Sequence, residues 1–96
     1  MNLEFLAGAR AEFYETATYY EGKEKGLGKR FRAEIGDVCS AISNDPLRWR
    51  EREDGFRRVN CPVFPYYIAY LVRGHTVVVA AVVHGSRRPG YWKGRL

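Results

Sequence analysis

Cysteine is nearly absent: Cys39 and Cys61 are the only two among 96 residues, and no CxxC or Cys/His spacing accompanies them. That excludes a disulfide framework and a structural zinc site, and leaves two ordinary reduced thiols. Histidine is as scarce. His75 and His84 stand nine apart, without a His-x3-His pattern and with few carboxylates nearby, so no metal is expected. The longest apolar run, residues 77–83, falls far short of the ~20 residues a bilayer-spanning helix needs. The opening Met1-Asn2-Leu3-Glu4 lacks the basic-then-apolar layout of a secretory leader, so a cytoplasmic chain with no membrane partner is expected.

Common catalytic signatures are missing too. Gly26-Leu27-Gly28-Lys29 continues with Arg30 and lacks the spacing of a phosphate-binding loop; its glycines read as easing a helix start and helix packing. Ser40, Ser43 and Ser86 stand in no Gly-x-Ser-x-Gly context. Glu51, Glu53 and Asp54 alternate with arginines, the pattern of a solvated segment rather than of a catalytic carboxylate pair. No cofactor is expected, and any reaction falls to polar and basic side chains.

What is present is an ordinary apolar fraction, 46 %, with a formal net charge of +5. The length supports one domain, residues 1–96. A basic surface suits nucleic acid, ribosome, anionic lipid or an acidic protein segment. The charge is uneven: residues 1–24 hold five acids against two bases, whereas residues 25–96 hold fourteen bases against six acids. Residues 86–96 contain Arg87, Arg88, Lys93 and Arg95 and no acid. Tyr91 and Trp92 are interleaved with those charges, and aromatics so placed pack or stack on something.

Residues 3–6 read as a short edge strand. Ala9, Phe13, Ala17 and Tyr20 then recur at helical spacing, with Glu12 and Glu15 on the side taken as exposed. After the break at residues 22–26, Leu27, Phe31, Ile35, Val38 and Ile42 define a second helix, closed by Asn44-Asp45-Pro46. Strands are expected over residues 55–60, 66–72 and 76–83, with a hairpin turn at Arg73-Gly74-His75. The last strand is apolar at odd and even positions alike, as a central strand is. The fold class is α+β, in the order β-α-α-β-β-β: an N-terminal antiparallel helical hairpin packed on one face of a small antiparallel sheet. Phe13, Phe31, Trp49 and Ile68 are the expected core.

The motifs carry a resemblance. Glu15-Thr16-Ala17-Thr18-Tyr19-Tyr20-Glu21, Gly26-Leu27-Gly28 with Phe31, and Asn44-Asp45-Pro46 resemble the helical half of the RelE/ParE toxins. Phe56-Arg57-Arg58-Val59, Phe64-Pro65-Tyr66-Tyr67-Ile68-Ala69-Tyr70 and Val82-Val83-His84-Gly85-Ser86-Arg87-Arg88-Pro89-Gly90-Tyr91-Trp92 are similar to the subgroup called plasmid stabilisation proteins. The resemblance implies the toxin of a type II toxin–antitoxin pair: a growth inhibitor silenced by a cognate antitoxin that wraps it, as a hetero-oligomer. ParE-like members poison DNA gyrase and have no known catalytic residues. RelE-like members cleave messenger RNA in the ribosomal decoding site.

Gyrase is the expected target, and ribosome-dependent cleavage is the alternative. Cleavage without metal needs a deprotonated 2′-hydroxyl, a braced phosphorane and a protonated leaving oxygen. The resemblance and the side-chain chemistry nominate Arg58, His84, Arg88 and Tyr91 for those roles. Arg57, Arg87, Trp92, Lys93 and Arg95 are the expected target contacts. Each also has a structural reading: His84 as a hydrogen-bonding residue at a strand end, Tyr91 and Trp92 as a cap folded back on the sheet. Arg57 and Arg58, being adjacent on a strand, must face opposite sides. The segment Arg48-Trp49-Arg50-Glu51-Arg52-Glu53 offers charge without a clean correspondence to the basic residues of RelE-like enzymes.

Overall fold

Strand Asn2–Phe5 (β1) runs into helix Ala7–Lys23 (α1), which turns back through Gly26 into helix Leu27–Asn44 (α2). The computed structural model describes every residue from Met1 to Leu96. The turn between the helices needs glycine, because Gly26 has φ 88°, in the left-handed region. Two residues on, a Cβ at Gly28 would stand 2.4 Å from the Ala17 carbonyl oxygen, so this glycine sets how closely the helices approach. Glu21 of α1 caps α2: its carboxylate accepts the N–H groups of Gly26 at 2.9 Å and Gly28 at 3.0 Å. An acid at that end also suits the helix dipole. Helix α2 buries Gly28, Phe31, Ile35, Val38 and Ile42, the stripe its spacing dictates, while α1 fully buries only Ala9 and Ala17.

The remaining strands are Arg57–Asn60 (β2), Tyr66–Arg73 (β3) and Thr76–His84 (β4). They form a meander, and Gly74, with φ 61°, makes the β3–β4 turn. Strand β2 starts later than expected, since Gly55 with φ 84° still belongs to the preceding turn.

The sheet order is β1-β4-β3-β2, and here the structure corrects the expectation of an antiparallel sheet. Strand β1 lies parallel to β4, Asn2 beside Thr76 and Phe5 beside Val79, so the sheet is mixed. Strand β4 is buried at every position from Val77 to Val83, as a strand covered on both faces must be. It takes β3 on one edge and β1 on the other. A four-residue edge strand carries no pattern that sets its direction.

Each face of the sheet has its own core. Helices and sheet enclose Phe31, Ile35, Ile42, Ile68, Tyr70, Val77 and Val79. On the outer face Phe56, Tyr67, Ala69, Ala80, Ala81 and Val83 close around Trp92. A register shift at Ala69/Tyr70 lets the neighbouring Ala80 and Ala81 both serve this second cluster. Of the expected core residues, Phe31 and Ile68 are fully buried, whereas Phe13 and Trp49 lie at the edge and are only partly covered. No helix is long and apolar enough to cross a membrane.

Candidate functional site

The segment after β4 folds back over the outer face. Trp92, expected as a target contact, is fully buried, with its ring 6.2 Å from Phe56, 5.9 Å from Tyr67 and 5.4 Å from Tyr91. It is a core residue. Beyond it, a 3-10 turn at Lys93–Arg95 delivers Arg95 to the free edge of β4.

That edge explains Arg95. β1 reaches only as far as Val79, so the strand edge beyond it has no partner strand, and unpaired buried backbone groups are costly. Arg95 donates to the Ala80 carbonyl at 2.9 Å, and Glu12 accepts the Val82 N–H at 3.0 Å. The two side chains also join each other, Arg95 Nη1 to Glu12 Oε1 at 2.9 Å and Nη2 to Oε2 at 3.0 Å. Tyr91 donates its hydroxyl to Glu12 Oε2. Arg95 fits because α1 has glycine beneath it: a Cβ at Gly8 would lie 2.6 Å from the Arg95 guanidinium carbon.

Glu12 is therefore not the solvent-facing residue expected. Burial alone would raise its pKa, but the hydrogen bonds from Arg95, Tyr91 and Val82 outweigh burial and hold the carboxyl below its ordinary range. Burial pushes the Tyr91 phenol well above its ordinary value, and the bond to the Glu12 carboxylate adds to that. The available signal was spacing, because Glu12 lies three residues from the buried Ala9.

Arg57 and Arg58 do face opposite sides. Arg57 donates to the Trp49 carbonyl at 2.6 Å and pairs with Glu51 at 3.5 Å, which makes it a brace for the loop before β2. Arg58 lies on the outer face, its guanidinium 5.4 Å from the Tyr67 ring and 5.2 Å from that of Trp92. Arg87 is exposed and stacks 4.0 Å over Tyr91, Arg88 is exposed beside it, and Lys93 pairs with Asp54 at 3.2 Å. A small cleft of about 300 Å³ opens beside Lys93, lined also by Arg50, Arg52, Glu53 and Asp54.

His84 goes elsewhere. Its ring meets Tyr66 at 5.1 Å, over a shallow hollow with Glu15, Thr16, Tyr19 and Tyr20 of α1. Its Nδ1 accepts the Ser86 N–H at 3.0 Å. The structure thus gathers Arg58, Tyr67 and Trp92 in one place and stacks Arg87 on Tyr91, and it sets His84 on the helix side of the sheet. Tyr67 and Glu12 are the residues that sequence reasoning missed.

No three His, Cys, Asp or Glu side chains are grouped to hold a metal ion. Burial pushes the Cys39 thiol up to about 11, and burial with the nearby Glu34 and Cys39 pushes Cys61 up to about 12, so neither is a ready nucleophile.

Residues 3–89 match the family described as the ParE toxin of type II toxin-antitoxin system, parDE. Among solved structures, the chain is similar to one described as the chromosomal ParDE TA system from P. aeruginosa, with TM-score 0.65 and 14 % identity, over 88 % of this chain and 95 % of that one. At that identity the likeness is one of fold. No curated protein matches the chain. The family match covers most of its length, and the chain belongs to the ParE toxin family of type II toxin–antitoxin systems.

Proposed function

We propose that this toxin arrests growth in the cytoplasm by binding DNA gyrase, and that a cognate antitoxin silences it by binding the toxin directly. The observation that carries the choice of target is that the two proton-transfer groups RNA cleavage would use, His84 and Tyr91, stand apart from each other and are already bonded. Arg58 lies on the outer face, His84 sits against Tyr66 with Nδ1 engaged, and the Tyr91 hydroxyl is bonded to Glu12. General acid–base chemistry needs its groups within reach of one reacting centre. A binding inhibitor needs only a rigid surface of suitable charge, and the exposed Arg50, Arg52, Arg87 and Arg88 supply one.

The test pairs two assays. Purified toxin should inhibit supercoiling by purified gyrase, and brief induction in growing cells should leave messages intact. New messenger RNA 5′ ends within translated codons, lost when initiation is blocked, would overturn this reading. They would return Arg58, His84, Arg88 and Tyr91 to catalytic candidacy. Co-expression of the antitoxin should restore growth in either case.

A further inference from the structure

We propose that Arg58, backed by Tyr67 and Trp92, is a recognition site for a carboxylate, supplied by an Asp or Glu side chain of the antitoxin segment that crosses the outer face of the sheet. The proposal rests on the antitoxin reading above and names the contact that reading leaves open.

Three buried side-chain polar atoms have no hydrogen-bond partner within the protein: Arg58 Nε, Tyr67 Oη and Trp92 Nε1. They belong to three side chains already in contact, with the Arg58 guanidinium 5.4 Å and 5.2 Å from the two rings and the rings 5.9 Å apart. All three are donors. Leaving buried polar atoms unpaired is costly. Tyr67 Oη and Trp92 Nε1 lie where no outside atom reaches them, so an acceptor comes to this cluster through the outer nitrogens of Arg58.

The contrast lies among the three half-buried arginines. Arg57 and Arg95 each meet a carboxylate, whereas Arg58 forms no ion pair. Only its Nε is among the buried unpartnered atoms; the two terminal nitrogens make no bond and remain reachable. The flanking rings fix the guanidinium plane, which prepares the fork for a two-pronged bond at little further entropic loss.

A carboxylate fits better than a nucleic-acid backbone. It accepts only, it is planar, and one is enough to match a single fork. The nearby cleft sets three bases against two acids, too small an excess to hold a run of phosphates. Arg50, Arg52 and Lys93 around the same cleft attract an acidic peptide as it approaches.

The test uses the full-length toxin and its purified antitoxin, with affinity and thermal stability measured side by side. Tyr67→Phe removes a hydroxyl that has no partner in the free protein. Its Tm should stay the same or rise and antitoxin affinity should be kept, because the ring that holds Arg58 remains. Arg58→Gln should weaken binding by about 30-fold or more and reduce the salt dependence of the affinity.

Two further readouts separate the outcomes. In a spectrum of labelled toxin, the Arg58 Nε–H and Trp92 indole signals should move when unlabelled antitoxin is added, with Trp49→Phe assigning the indoles. An Arg58→Lys protein that binds antitoxin as tightly as wild type would mean that charge alone suffices and no fork is read, and would overturn the proposal. So would an Arg58→Gln protein that binds antitoxin normally, or one whose only loss is in binding an RNA or DNA oligonucleotide. If wild-type toxin itself fails to bind the antitoxin, the antitoxin reading falls and this one with it, a result distinct from all the others.

Discussion

Arg95 and Glu12, 83 positions apart in the sequence, meet fork to fork at 2.9 and 3.0 Å, and both also bond the edge of β4. One ion pair thus seals a strand edge and fastens the segment that buries Trp92. Its side chains are only 25 % and 15 % exposed, so water screens it far less than a surface pair.

Removing one partner should leave the other uncompensated. Glu12→Ala is expected to destabilise the fold by about 3 kcal/mol, since it strands Arg95, the Tyr91 hydroxyl and the Val82 N–H together. Urea denaturation measures this. A change under about 0.5 kcal/mol, the size of an ordinary surface substitution, would show that the pair holds nothing.

The same cluster sets the limits of stability with pH. The folded Glu12 carboxyl lies below its ordinary 4.5, so the unfolded chain takes up the proton first as pH falls. Its contribution is complete above about pH 5 and is lost progressively through and below 4.5. Glu21 and Asp54 are held low as well and share this acid limb. Tyr91 lies above its ordinary 10.0, so its contribution is complete below pH 10 and drains away as pH rises further. Stability curves should therefore show a plateau between the two limbs. Glu12→Gln should flatten the acid limb, and Tyr91→Phe part of the alkaline one, which the raised Cys39 and Cys61 thiols also feed.

Gly28 gives a test of the helical hairpin. A methyl group there would meet the Ala17 carbonyl oxygen at 2.4 Å and the Glu21 Cβ at 2.9 Å, so α1 and α2 must separate to admit it. Gly28→Ala is expected to cost about 1–3 kcal/mol despite the better helix propensity of alanine. Gly36→Ala in the same helix meets nothing and should be neutral or slightly stabilising. Equal stabilities for the two variants, read by thermal unfolding, would contradict the packing described.

Arg88 separates surface function from folding. It is exposed, so Arg88→Ala should change Tm by little while weakening growth arrest on induction. Full toxicity in an Arg87→Ala, Arg88→Ala double variant would remove this stretch from the target surface. Tyr91→Ala is the less informative choice, because it also breaks the contact with Glu12.

Much of the fold was written in local pattern. Two helices at 3.6-residue spacing, the break at Gly26, the Gly74 turn and the doubly apolar β4 follow from side-chain periodicity and backbone sterics, which act over a few residues. The direction of β1 and the true place of Glu12 and Trp92 did not. Those depend on which strand edge is left unpaired after β1 ends and on which distant groups fill it, and neither is encoded near the residues concerned. The sequence determined that residues 86–96 pair basic side chains with aromatics. Only the tertiary structure decided that Arg95 would close a strand edge, that Trp92 would be buried, and that Arg58 would be left without a counter-ion, because charges become partners only when folding brings them within a few ångströms.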